Sequence, residues 1–496
     1  MGIFSFMTHV PVLTLIYLMP FMAFLILLFI PEKNLRAIRL TALIPVCISF
    51  LLSIILFFNY DYKAGGLQFV EKAEWIKSLG INYFLGVNGI NVSLVLLTGF
   101  VIVAGVFASW DVTYRPKEFF MLLLILVTGV FGVFMSYNLF LFFLFYEIAV
   151  IPMYLLIGIW GTGDKEYSAM KLTLYLLVGS ALILSGILGL YFATGLNTFD
   201  FDVIEKFKFT KEFQIIFFPI LFLGFGILAA LWPFHTWSPD GHASAPTAVS
   251  MLHAGVLMKL GAYGCLVIAV WLLPDGANFW LPAVAILTIV NIVYGSIGAT
   301  AQKDLKYIVA YSSVSHMGVV LLGIAAAKNP VALTGSVFQM VSHGIMTGLF
   351  FALVGMVYGR THTRIITDMS GLSKVMPKFA AFFVMTGLCS LGLPGLSGFV
   401  AEITTFIGAF KVYPVVTLIC VTSIVITAFY VLRVVQMIFF GPLKEEFKDL
   451  KDAGPVEFIS LFILMTFIVL AGVYPFYFMK VIYSAVLPIS QKLAGM

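Results

Sequence analysis

Apolar residues fall in long runs along this chain, near 10–30, 37–58, 84–108, 119–135, 137–160, 168–194, 213–232, 246–272, 279–300, 305–325, 331–358, 378–412, 415–440 and 457–485, separated by short polar segments. Most runs reach about 20 residues, the length a helix needs to cross about 30 Å of hydrocarbon. A membrane β-barrel would instead show alternating segments of about ten residues. The pattern predicts an all-α polytopic membrane protein of about 14 transmembrane helices. The first run, Val10 to Ile30, follows a short segment without Lys or Arg and without a small-residue cleavage site, so it reads as a retained first helix rather than a signal peptide.

Composition agrees with the pattern. Hydrophobic residues make up 61% of the 496 positions and charged residues only 10%, whereas a soluble domain is about one quarter charged. The four cysteines, Cys47, Cys265, Cys389 and Cys420, lie singly in apolar runs, which argues against a disulfide framework, haem or an iron–sulfur site. Given 14 spans, Lys and Arg concentrate after odd-numbered ones: Lys33, Arg36 and Arg39, then Arg115 and Lys117, Lys165, Lys303 and Lys306, Arg360 to Lys378, and Lys444 to Lys451. On the other side Lys63, Lys72, Lys77, Lys206, Lys208 and Lys211 are interleaved with acids. By the positive-inside rule both termini face away from the cytoplasm. The net charge of +5 is accounted for by this bias, and a nucleic-acid partner has nothing to rest on.

Two spans are broken by polar, proline- and glycine-containing segments. One is AALWPFHTWSPDGHASAPT, residues 229–247, with Pro233, Pro239 and Pro246; the other is SLGLPGLSGFVAE, Ser390 to Glu402, inside a run too long for one straight crossing. Discontinuous helices at corresponding places in two halves are the sequence trace of an inverted-repeat transporter. The two breaks lie five spans apart, which suits two units of five.

The chemistry rests on the few ionisable residues deep in apolar runs. Glu147, Lys259, His316 and His343 each lie within a few residues of the middle of a run, and Glu402 follows the second break. At 1.5 Å rise per residue these positions share one level near the bilayer centre. A charge there costs about 2.5–3.5 kcal/mol on insertion scales, so such residues pair, line water or move protons. A lone membrane histidine also serves as a helix-packing hydrogen bonder, and a single Glu and Lys as a static pair; five ionisable residues at one level favour a lateral proton wire. His253, six residues before Lys259 and about 120° away around the helix, is balanced between packing and relay.

LFYEIAVIPMYLLIGIWG, PFHTWSPDGHASAPTAVSM, LMKLGAYG, AQKDLKYIVAYSSVSHMGVVL, HGIMTGLFF and LGLPGLSGFVAE together closely resemble the antiporter-like membrane subunits of type M (mitochondrial subunit 4) of proton-pumping NADH:quinone oxidoreductase, respiratory complex I. The resemblance covers roughly residues 80–440. It implies an antiporter-like fold with two inverted five-helix repeats and broken helices 7 and 12. The chain would then divide into N-terminal helices 1–3 (1–110), a first repeat (111–272), a second (273–440), and a C-terminal linker with helix 14 (441–496). It also implies that Glu147 is the fifth-helix glutamate, Lys259 the eighth-helix lysine, His316 and His343 the central relay, and Glu402 the twelfth-helix exit acid. NADH, FMN, iron–sulfur clusters and quinone would belong to other subunits, this chain would bind no cofactor or metal, and its partners would be L-type and N-type subunits in a bacterial inner membrane.

The sequence departs from that family at Leu228, where a seventh-helix lysine usually pairs with the fifth-helix glutamate, and at Asn88 and His253. No Lys or Arg occurs between Lys211 and Lys259. His253, or else His235 in the broken segment, becomes the candidate replacement. Three functions are weighed: a pump using Glu147, Lys259, His316, His343 and Glu402; a structural subunit that has lost pumping through Leu228; and a subunit of a sodium/proton antiporter or membrane-bound hydrogenase.

Overall fold

The computed structural model describes residues 11–495. The beginning of the first apolar run, at Val10, lies outside the described residues; α1 covers Val12–Phe29. It is followed by α2 (Leu35–Asn59), a hairpin of β1 (Gln68–Ile76) and β2 (Ile81–Val87), α3 (Asn91–Ala108), α4 (Pro116–Met135), α5 (Leu139–Trp160) and α6 (Lys165–Thr194). Next come the half-helices α7a (Lys211–Leu228) and α7b (Trp237–Ser244), then α8 (Thr247–Val270), α9 (Pro274–Ala301), α10 (Leu305–Ala325) and α11 (Pro330–Thr361). The chain closes with the half-helices α12a (Pro377–Ser390) and α12b (Ser397–Phe410), then α13 (Pro414–Phe439), α14 (Pro455–Val473) and α15 (Phe476–Ala494). Among the described residues, thirteen helices are long and apolar enough to cross a membrane, and α12a with α12b makes a fourteenth crossing.

Two expectations are corrected. The run near 84–108 is not one helix, because residues 84–87 belong to β2. The hairpin turns at Gly80, whose φ of 64° suits glycine, and Asn88 then caps α3 by accepting from the N–H groups of Ile90 and Asn91. The run near 457–485 is likewise not one span. Pro475 ends it, since proline has no N–H to continue the ladder, and the 19 residues of α14 already give about 28 Å of helix.

The hairpin marks one face of the molecule. Glu71 on β1 accepts from Leu13 N and Thr14 N at 2.7 and 3.0 Å, covering orphan donors at the start of α1. Successive crossings carry the chain to the opposite, Lys- and Arg-rich face and back. Helices α8, α10 and α11 are almost wholly buried in the middle of the bundle, while α1, α2 and α13 expose most of their length.

Candidate functional site

Both breaks fall where the sequence places them, and buried polar groups satisfy the interrupted backbone. At the first, Asn291 on α9 accepts from Trp232 N at 2.6 Å and donates to the Ala230 carbonyl at 2.8 Å, and Trp237 Nε1 donates to the Ile227 carbonyl at 2.9 Å. Irregular backbone at membrane depth is viable only under such protein cover. The half-helix α7b is then fixed at the basic face. Lys171 pairs with Asp240 at 2.7 Å, Tyr307 donates to the same carboxylate at 3.1 Å, and Lys306 and Arg364 donate to the Ala245 and Ala243 carbonyls at 2.5 and 2.7 Å. At the second break, Gly392 and Gly395 take φ of 79° and 92°, a region other residues rarely adopt.

Small residues let the central helices approach closely enough for their polar side chains to meet. A Cβ on Gly344 of α11 would lie 2.4 Å from the Gly255 carbonyl of α8, and one on Gly335 of α11 would lie 2.3 Å from Thr405 N of α12b. Across the first contact, Lys259 Nζ stands 2.8 Å from His343 Nδ1 and also donates to the Ala254 carbonyl. That carbonyl lies in a π-helical turn, His253–Leu257, one of two in α8; such turns are frequent at functional sites. On the other side of α11, His316 Nδ1 of α10 lies 3.0 Å from Glu402 Oε1 of α12b.

The rings of His343 and His316 are 5.3 Å apart, centroid to centroid, and His316 Nε2 is 3.1 Å from Ser390 Oγ. Gln339 Nε2 also approaches His316 Nδ1, at 3.4 Å, so Nδ1 faces Glu402 and Gln339 while Nε2 faces Ser390. Lys259, His316, His343 and Glu402 are thus brought into one line, all buried.

The other expected site residues lie apart from that line. Glu147 on α5 is half-buried and its Oε1 has no hydrogen-bond partner. Leu228, fully buried at the end of α7a, offers it none, although α5 and α7a touch through Tyr146 and Phe225. His235 lies in the break against Tyr294, and His253 lies between Trp237 and His242, ring centroids 5.0 and 4.3 Å away. Among the described residues, neither nitrogen of His235, His242 or His253 has a hydrogen-bond partner.

Sequence reasoning passed over His242, Ser390 and Gln339. His242 stood inside the quoted polar segment, where its burial against His253 could have been suspected; Ser390 and Gln339 carry no signal that separates them from other serines and glutamines in apolar runs.

Among the described residues, fourteen crossings, two of them broken, with a line of buried ionisable side chains running from α8 to α12b, define an antiporter-like membrane protein. The chain belongs to the NADH:quinone oxidoreductase/Mrp antiporter transmembrane family, whose model matches residues 136–427. It is 39% identical over 480 residues to NAD(P)H-quinone oxidoreductase chain 4 of Acaryochloris marina, covering 94% of this chain and 89% of that one. It is 40% identical over 473 residues to a chain 4 of Synechococcus elongatus, with the same coverage. A chain of respiratory complex I from Thermus thermophilus superposes with a TM-score of 0.89 at 28% identity, over 98% of this chain and 99% of that one. A chain of the Mrp complex from Dietzia sp. superposes with a TM-score of 0.86 over 97% and 98% of the two chains; at 19% identity it shows the shared fold alone.

Proposed function

We propose that this chain is a proton-translocating membrane-arm subunit of an NADH:quinone oxidoreductase, of the kind its chain 4 relatives represent. The observation that carries this reading is the buried line Lys259–His343–His316–Glu402, which crosses from α8 to α12b at mid-depth. Each imidazole can take a proton at one nitrogen and release one from the other. A proton leaving Lys259 Nζ enters His343 at Nδ1, and one departs from Nε2. It enters His316 at Nε2, beside Ser390, and the Nδ1 proton passes to Glu402. The two rings pack directly, with centroids 5.3 Å apart.

Moving one charge against the membrane potential costs about 2.3 kcal/mol per 100 mV, so a redox partner supplies the energy. NADH, FMN, iron–sulfur clusters and quinone sit in other subunits, and L-type and N-type subunits flank this one. The hairpin face points away from the cytoplasm, following the distribution of Lys and Arg. The 111–272 and 273–440 segments act as two inverted repeats, each with a broken helix in fourth place. Glu147, with His253 and His235 on the same side as the first break, feeds the line.

Lys259→Ala or Glu147→Gln in the assembled complex is expected to lower the protons moved per electron, measured by pH-sensitive dye in vesicles, while the complex still assembles. Unchanged stoichiometry in both variants would sink the wire as drawn. The unpartnered Glu147 and the buried Leu228 favour a second reading, a structural subunit that no longer pumps. If Leu228→Lys raises the protons moved per electron, that second reading gains.

A further inference from the structure

Helix α15 does not cross the bundle. Its first turn meets the end of α2, where Tyr477 Oη donates to the Phe58 carbonyl at 3.3 Å, and its last turn meets the start of α9, where Asn278 Nδ2 donates to the Leu493 carbonyl at 3.2 Å. Both contacts are at hairpin-face ends of spans, so α15 lies along that face. Val481, Ile482, Ala485, Val486 and Ile489 turn inward, while Phe476, Lys480 and Tyr483 are exposed. An apolar stripe opposite a Lys- and aromatic-bearing stripe is the pattern of a helix lying in a membrane interface.

Between α15, the turn after α2 and the hairpin-face ends of α11 and α12b runs an open groove of about 730 Å³. Its rim carries Lys63, Lys480, Tyr62 and Tyr483, and its floor includes Val331 and Thr404. The Lys480 ammonium stands over the rings of Phe476 and Tyr62, 4.0 and 5.5 Å from their centroids. Among the described residues neither Lys63 nor Lys480 has a carboxylate within ion-pair distance. The nearby Asp61 uses Oδ1 to accept from the N–H groups of Lys63 and Ala64 in its own turn. Beyond Thr404 the groove continues onto the outer side of α12b, where Ile403 and Ile407 are exposed.

We propose that this groove binds one anionic phospholipid of the hairpin-face leaflet. Lys63 and Lys480 hold its phosphate, the Tyr62 and Tyr483 hydroxyls face the glycerol region, and an acyl chain lies along Val331, Thr404 and Ile403. Two unpaired ammoniums select negative charge, and the apolar floor running into the lipid-facing side of α12b selects a chain over a free phosphate. Each lysine near a membrane surface contributes about fivefold to anionic-lipid attraction, so the pair gives a preference of roughly thirtyfold at most over a neutral lipid before screening reduces it.

The test uses the assembled complex with Ile407→Cys carrying an environment-sensitive fluorophore, reconstituted in phosphatidylcholine vesicles. Brominated phosphatidylglycerol is expected to quench it at mole fractions at least tenfold below those needed by brominated phosphatidylcholine, and millimolar inorganic phosphate is expected not to relieve the quenching. Lys63→Ala with Lys480→Ala should abolish the preference, and Lys63→Arg with Lys480→Arg should keep it. Equal quenching by the two lipids, relief by phosphate alone, or no quenching by either because a neighbouring subunit fills the groove would each overturn the proposal. The comparison of the two lipids with both lysines present decides it even if the alanine variant does not assemble.

Discussion

Two of the three departures read in the sequence, Leu228 and His253, sit where single substitutions test the proposed proton path. A lysine at 228 would enter a fully buried site at the level where Tyr146 packs on Phe225. Alone it would cost about 2.5–3.5 kcal/mol, and a partner carboxylate would offset part of that cost. Leu228→Lys is therefore expected to destabilise less with Glu147 present than in the Glu147→Gln background, by about 1 kcal/mol or more in a double-mutant cycle on thermal unfolding. No coupling would mean that the two positions do not meet. His253 has two buried nitrogens without partners, so His253→Leu removes no hydrogen bond. Its expected signature is stability unchanged or raised by up to about 1–3 kcal/mol, with fewer protons moved per electron. A loss of stability at unchanged stoichiometry would make His253 a packing residue.

At the scale of elements, the proposed proton path depends on how closely α8 and α11 cross. The Lys259–His343 contact of 2.8 Å exists because Gly255 and Gly344 let two backbones touch. Gly344→Val places side-chain carbon against the Gly255 carbonyl and is expected to cost about 1–3 kcal/mol by overpacking, to separate the helices and to lower proton movement with no ionisable group changed. Retained stoichiometry in an assembled Gly344→Val complex would show that this crossing does not set the contact. The breaks were legible as elements because proline and glycine interrupt a helix for local reasons. The hairpin and the α14–α15 joint were not, because Phe84–Val87 and Tyr474–Phe476 are as apolar as the helices beside them, and a hydropathy run does not distinguish a strand from a helix.

At the scale of the molecule, the hairpin face and the basic face define an orientation that labelling can test. In sealed inside-out vesicles, a cysteine replacing Lys33, between α1 and α2, is expected to react with a membrane-impermeant maleimide, and one replacing Glu74 on β1 only after the vesicles are opened. The reverse pattern would invert the assignment of both termini. The same fold also decides which buried groups are neighbours. Glu402 comes after α12a and the break, 86 residues beyond His316, yet its carboxylate meets that ring at 3.0 Å.

The sequence by itself determined the class of protein, the number of crossings and the places of the two breaks. All of these follow from hydropathy, from the fixed rise of a helix and from the proline and glycine that interrupt one, which are properties of local chain. Only the tertiary structure decided that Lys259, His343, His316 and Glu402 meet while Glu147 stands without a hydrogen-bond partner at Oε1, that Asn291 heals the first break, and that α15 lies along one face. Those outcomes depend on how far one helix turns about its axis and how closely it approaches another. Packing across the whole bundle fixes both, and no single run of residues encodes them.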